Sequence, residues 1–308
     1  SSLAEGEYST AVGQEAHAEA GFDLAAGYKA NASGGESMAV GVKSKSTGTA
    51  SNAIGWNANA TAQNATALGS NAQANGKESF AQGSFALASG DGSISIGDSS
   101  SATGKYSIAV GKKANATGIN SGAIGPEAKA LGDDSFAVGT RAQALANYST
   151  ALGNQAIAEK KWDLAVGYEA NASGEQSTAV GFRSKSTGKA SNAIGGSSLA
   201  EGEFSTAVGQ ESYANAKATQ ALAVGYKSKA LNEQSTAVGF NSKSTGFAAN
   251  AIGGSSLAEG EFSTAVGQQA HAEADYTLAA GYKANASGGS SMAVGFGSKS
   301  TGNAATAI

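Results

Sequence analysis

A chain of 308 residues with 44 glycines, one proline, no cysteine, 14% charged residues and a net charge of −4 is not the recipe of an ordinary globule. Its apolar fraction is largely alanine, which excludes a core of large aliphatic side chains and leaves a thin interior lined with small groups. There is no basic surplus to suggest nucleic acid, no disulfide framework and no thiolate metal site.

The first element is residues 9–13, Ser-Thr-Ala-Val-Gly, and relatives of it fill the whole chain. Taking its glycine as position zero, the slot recurs every 14 residues from Gly13 through Gly27 and Gly41 to Gly209. One step of 16 residues then leads to Gly225, and the 14-residue beat resumes to Gly295. A strict short period predicts a solenoid in which each repeat is one coil and none buries its surface alone. Position −2 is Ala in 21 of 22 coils, Ser95 being the exception, and positions +3 and +5 are always Ala or Ser, from Ala16 and Ala18 to Ser298 and Ser300. Small residues on one face of two alternating segments predict two short strands facing each other at close range. A second glycine, at position +7 in 14 of 21 coils, marks the other turn. The expected fold is therefore all-β, a flattened parallel β-roll forming one elongated domain over residues 1–308. Stacking at the usual strand spacing makes it on the order of 100 Å long. The 16-residue coil near 210–225 should place a two-residue bulge between Asn215 and Gln220.

The outward positions carry the functional argument. Position −1 is Val12, Val40, Ile54, Leu68, Ile96, Val110, Ile124, Val138, Leu152, Val166, Val180, Ile194, Val208, Val224, Val238, Ile252, Val266 and Val294, broken by Ala26, Gln82 and Ala280. An apolar ladder of that length exceeds what a soluble monomer leaves in water, so we expect other chains to cover it. Most aromatics flank that strand at positions −5 and +1, among them Tyr8, Phe22, Trp162, Tyr28, Trp56 and Phe182. They are read mainly as inter-chain packing, with sugar stacking as the other option. Position +4 faces out from the second strand and is mostly polar. Lys45, Asn171, Lys185 and Lys243 on it are the expected ligand-contact face.

Farther along the chain the repeats are themselves repeated. Residues 1–14 return with one Tyr-to-Phe change at 197–210 and 255–268, and 28–54 has close copies at 168–194 and 282–308. Charges segregate by coil, with Glu201 and Glu203 in one turn and Arg183 and Lys185 in another, as a solvated surface would have them. Asn52, Asn192 and Asn250 recur at position −3, on the apolar face. They mark either a hydrated spot at a loosely packed interface or a place where symmetry-related copies of each surround a water or small anion at a trimer axis and fix the register between chains. The rhythm also breaks around residues 158–163, where Lys160 replaces the turn glycine and Asp163 the usual Ser at position −4. His17 and His271 sit at position +4, outward and alone. No nucleophile with its base, phosphate loop, zinc pattern or Gly-Asp calcium repeat is present, so neither enzyme chemistry nor a cofactor or metal is expected.

The recurring Ser-x-Ala-Val/Ile-Gly-x-x-Ala/Ser-x-Ala/Ser-x-Gly, repeated end to end, strongly resembles the head repeat of trimeric autotransporter adhesins, the YadA-like head. The resemblance implies a left-handed parallel β-roll and three chains joined along their apolar strands. It also implies display on a coiled-coil stalk at the outer membrane of a Gram-negative bacterium. Heads of this family bind host matrix proteins or cell surfaces and promote autoagglutination and biofilm formation. The family's collagen-associated Asn-Ser-Val-Ala-Ile-Gly has no intact copy, the nearest forms lying at residues 64–69 and 106–111. We therefore expect a non-enzymatic homotrimeric adhesin head that gains avidity from repeated weak contacts. The alternative is a structural spacer holding another binding domain. With neither leader nor apolar span in the sequence, any membrane anchor is expected outside it, and this fragment is expected to touch no membrane.

Overall fold

The structure is a computed structural model and describes residues 1–215 and 218–308. Its contacts divide the chain into two units, residues 1–155 and 156–308. Each unit is a parallel β-solenoid of 14-residue coils, so the all-β expectation holds. In the first unit the three-residue strand Thr10–Val12 lies parallel to Leu24–Ala26, pairing Ala11 with Ala25 and Val12 with Ala26. The two-residue strand His17–Ala18 pairs with Asn31–Ala32 in the same way. The second unit repeats this arrangement, with Leu164–Val166 beside Thr178–Val180 and Asn171–Ala172 beside Lys185–Ser186. Every coil thus adds one rung to each of two sheets, and a 14-residue register keeps identical positions stacked.

The interior is as thin as the composition requires. Positions −4, −2, +3 and +5 point inward and are filled by Ala and Ser with essentially no exposure. The largest fully buried side chains are Thr277, Asp23 and Asp163. Serine is tolerated there where its hydroxyl finds an acceptor nearby, although the buried hydroxyls of Ser79, Ser93, Ser107 and Ser291 have no such partner. Ser44 donates to the Gly41 carbonyl at 2.9 Å and Ser51 to that of Gly48 at 2.6 Å, while Ser46 and Ser51 meet across the coil at 2.6 Å.

Each coil turns twice, and both turns use the same backbone device. The carbonyl of position 0 accepts from the amide of position +3, as Gly13 does from Ala16 at 3.3 Å. That of position −7 accepts from position −4, as Gly6 does from Ser9 at 3.1 Å. The third residue of each turn is left-handed, as in a type II turn. It is almost never glycine: Tyr8, Glu15, Phe22 and Lys29 have φ of 56° to 58°. Asparagine bears this conformation best, and Asn57, Asn64, Asn71, Asn120 and Asn241 occupy it. Pro126 occupies the second position of such a turn, ahead of Glu127 at φ 59°, where its fixed φ is suited. The reference glycines are required for a different reason. Gly55 has φ 138°, and a Cβ on it would lie 2.4 Å from the carbonyl oxygen of Gly69 in the next coil. The second punctuation point, at +7, marks a turn as expected, but its glycine does not take the left-handed place.

Two turns depart from this plan, and a buried carboxylate is the cause. Oδ1 of Asp163 accepts from the amide and hydroxyl of Ser177, both at 2.9 Å, and Oδ2 from the Lys160 amide at 2.8 Å. With its amide claimed by Asp163, Ser177 no longer closes the ordinary turn, and its hydroxyl accepts from Gly174 N at 3.0 Å. Glu175 and Gln176 are then both left-handed, at φ 67° and 57°, the pattern of a type I′ turn. Asp23 does the same to Ser37, with Gly35 and Glu36 at 75° and 54°. The aspartate at position 163, which the sequence shows only as a break in the rhythm, is a structural bond between coils.

At the irregular coil the register steps by 16, with Thr206 paired to Leu222 and Tyr213 to Lys229. The span in which the bulge was expected, Asn215 to Gln220, includes residues 216 and 217, which lie outside the described residues.

Candidate binding surface

Rows of outward side chains define the surface. The first is the row at position −1. Val12 is 60% exposed and Ile194, Ile252 and Val266 about 40%, while most others are half-buried between their neighbours above and below. The strand geometry forces this, because alternate residues of a strand that buries Ala11 or Ala193 must point away from the coil. The row at −3, on the same face, is less uniformly apolar. In the second unit it runs Thr178, Asn192, Thr206, then Leu222, Thr236, Asn250 and Thr264. Asn52, Asn192 and Asn250 are half-buried on this face, and only Asn250 makes a side-chain hydrogen bond, a long one of 3.4 Å to the Ala248 carbonyl.

The row at +4 is the polar face. Lys45, Lys185 and Lys243 are exposed, whereas Asn171 is half-buried and its Oδ1 has no hydrogen-bond donor. Lys229 and Lys243 are direct partners in the parallel ladder. Among the described residues neither has an acidic partner, so two like charges share adjacent rungs. Shallow grooves run between this row and the turn residues at +2. One, of about 260 Å³, is lined by Lys43, Lys45, Asn57, Ala58, Asn59 and Gln73. A second, also of about 260 Å³, includes Lys227, Lys229, Asn241, Lys243 and Ser255. A third, of about 380 Å³, mixes Lys113, Lys129 and Arg141 with Glu127.

Along the +2 row itself, unlike charges one coil apart pair up. Arg183 meets Glu169 at 2.7 Å and Arg141 meets Glu127 at 3.0 Å. The arginine hydrogen bond holds each of these carboxyls below its ordinary range. All are solvent-exposed pairs and contribute little to stability.

The histidines are not both solitary, contrary to expectation. His271 sits between Glu273 of its own coil and Glu259 of the preceding one, with Nε2 2.7 Å from Glu259 and Nδ1 3.1 Å from Glu273. Stacking brings the +6 glutamate of the preceding coil beside a +4 residue, a proximity invisible in a linear reading. In the homologous coil near Glu201 the same slot holds Tyr213, whose hydroxyl donates to Glu201 at 2.9 Å. Partial burial and that carboxylate push the phenol up to about 12. The folded state therefore binds this proton more tightly than the unfolded one. The contribution is intact below the ordinary tyrosine value and is lost as pH rises toward about 12. Ultraviolet titration of the folded chain should show a phenol that ionises only near pH 12, absent in Tyr213→Phe. Among the described residues no group of three His, Asp or Glu side chains is placed to hold a metal.

The aromatic rows stack within the chain. Tyr168 and Phe182 lie 5.4 Å apart at 11°, Tyr226 and Phe240 5.5 Å apart at 19°, and Tyr8 and Phe22 5.2 Å apart at 24°. Position +1 occupants succeed one another coil by coil, each carbonyl accepting from the next coil's +2 amide, as Phe240 does from Ser255 and Gly254 from Gln269. The sequence reading assigned these rings chiefly to contacts between chains. In the structure each of these rings finds its partner one coil away.

A family model described as the YadA head domain repeat matches residues 4–30, 32–114, 116–156, 163–184, 186–212, 216–242, 244–284 and 286–308. Among solved structures, the chain is similar to the collagen-binding domain of the Yersinia adhesin YadA, at 31% identity over 49% of this chain and 67% of that one, with a TM-score of 0.27. No curated protein sequence matches it.

Proposed function

The chain belongs to the YadA head domain repeat family, and from that premise we propose that it works as a non-enzymatic adhesin head in a homotrimer displayed on a Gram-negative cell surface. The observation that carries the reading is the contrast between two outward rows of one repeat. Position −1 leaves Val12, Ile194, Ile252 and Val266 substantially exposed, which three copies packed face to face would bury. Position +4 offers Lys45, Lys185 and Lys243, exposed and repeated at intervals of whole coils. A surface that repeats its own shallow sites binds matrix or cell-surface partners by avidity, without any one deep pocket. The Thr178–Asn192–Thr206 run on the −3 row would keep a strip of the inter-chain face hydrated, with the Asn copies gathered near the axis around water or a small anion.

Two measurements test this. Sedimentation of the purified chain should give a trimer, and Val208→Glu with Val238→Glu should give a folded monomer, because these side chains lie outside the coil interior. Beads coated with the trimer should adhere to matrix-coated or cell surfaces and agglutinate with one another. A trimer that does neither is a spacer, and the adhesive reading falls.

A further inference from the structure

Resting on the reading of the chain as an adhesin head, we infer that the groove beside Lys229 and Lys243, continued by the open face of Phe240, binds a sulfated glycosaminoglycan. Two independent features of the second unit converge there.

The first is electrostatic. Lys229 and Lys243 are neighbours across one ladder step, both exposed, and among the described residues neither has a carboxylate against it. Lys227, by contrast, is engaged with Glu211 at 3.6 Å and lies over the Tyr226 ring. Like charges on adjacent rungs repel, and a ligand carrying closely spaced anions relieves both at once. The groove they border adds Asn241 as a further donor.

The second is steric. Tyr226 covers one face of Phe240, but the next rung at position +1 is Gly254, and Phe240 remains 61% exposed. Space above Gly254 is open: a Cβ built there would meet only Gln268 Cγ, at 3.8 Å, and its φ is not left-handed. The row of rings therefore has a gap one side chain thick, bounded by Phe240 and Gln268. A pyranose ring fits such a gap with its C–H face on the aromatic ring, and its charged substituents then reach Lys243 and Lys229. The same missing rung occurs four coils earlier, roughly 19 Å away along the stack, at Phe182, Gly196 and Gln210. There the Arg183 guanidinium already lies 4.9 Å from the Phe182 ring centre, leaving Phe240 as the open position.

Charge density selects the sulfated class. A polymer with a single carboxylate per disaccharide cannot neutralise both lysines from one ring.

The test uses the full chain immobilised sparsely and probed with heparin, hyaluronan and single-stranded DNA fragments of matched length. Heparin is expected to bind, and Lys229→Gln with Lys243→Gln to weaken it about tenfold and flatten its salt dependence. Gly254→Phe should complete the stack and weaken binding about tenfold as well, with the sedimentation coefficient unchanged. Equal binding of hyaluronan or DNA, or unaltered heparin binding by the double lysine variant, overturns the inference. Heparin binding untouched by Gly254→Phe, with altered sedimentation, assigns the gap to chain packing and overturns the aromatic half. If the chain adheres to matrix while heparin fails to bind, the glycan inference alone falls. Heparin binding without adhesion sinks the adhesin reading instead.

Discussion

Gly55→Ala should be among the most damaging single changes in the chain, removing about 3 kcal/mol or more from the stability of the first unit. Two penalties combine. A φ of 138° is a backbone state that side chains other than hydrogen scarcely reach, at about 1–3 kcal/mol. The new methyl would also press on the Gly69 carbonyl carbon and oxygen, at 2.7 and 2.4 Å, and relieving that overlap means prising two coils apart, at about 1–3 kcal/mol more. Because each coil is held only by its neighbours, the damage should concentrate there. Thermal melts followed by circular dichroism, with limited proteolysis to locate the opened coils, would read it. Gly254→Ala supplies the control: with ordinary φ and open space it should stay within about 0.5 kcal/mol of the parent. Equal melting temperatures for the two variants would contradict the account.

The second large effect is expected at Asp163. Replacing it by Ala strands three donors, the Ser177 amide, the Ser177 hydroxyl and the Lys160 amide, inside a dry interior. Part of that loss is recovered if the turn reverts to the ordinary form, so we expect about 2–4 kcal/mol. Asp163→Ser should be far milder, within about 1 kcal/mol, because Ser is what position −4 normally holds and Ser177 can then close its turn onto Gly174 as Ser51 does onto Gly48 at 3.2 Å. A coupled substitution isolates the device. Glu175 at φ 67° is strained only while Asp163 holds the turn open, so Glu175→Gly should stabilise the parent by about 1 kcal/mol and do little in Asp163→Ser. Additive effects in that cycle would show that the carboxylate does not set the turn.

These two sites mark the boundary of what the primary structure discloses. The 14-residue beat, the inward faces and the exposed apolar row follow from residue types at fixed spacing, because a strand that buries alanine at one position must expose the next. The place of the reference glycine was equally legible. Its reason was not, since the close approach to the carbonyl of the following coil exists only once coils are stacked. The left-handed residues were hidden for a related reason. Turn chemistry is usually read from glycine, yet Tyr8, Phe22 and Trp162 carry the positive φ, and stacking supplies what propensity does not. Contacts between coils were hardest to see. The approach of Glu259 to His271, the unopposed Lys229–Lys243 pair and the gap over Gly254 all join residues on successive coils, 12 to 14 positions apart, which look unrelated until the period is folded into rungs.

The constancy of the rung has a hereditary corollary. Since every coil passes the same pattern of amides and carbonyls to its successor, the identical stretches at 197–210 and 255–268 make the DNA encoding them a ready site for unequal crossing-over. One such exchange deletes or duplicates four whole coils, and the sheets rejoin with each row still aligned. Reach and valency can then change in a single genetic event, without invention of a new surface and without passage through an unfoldable intermediate.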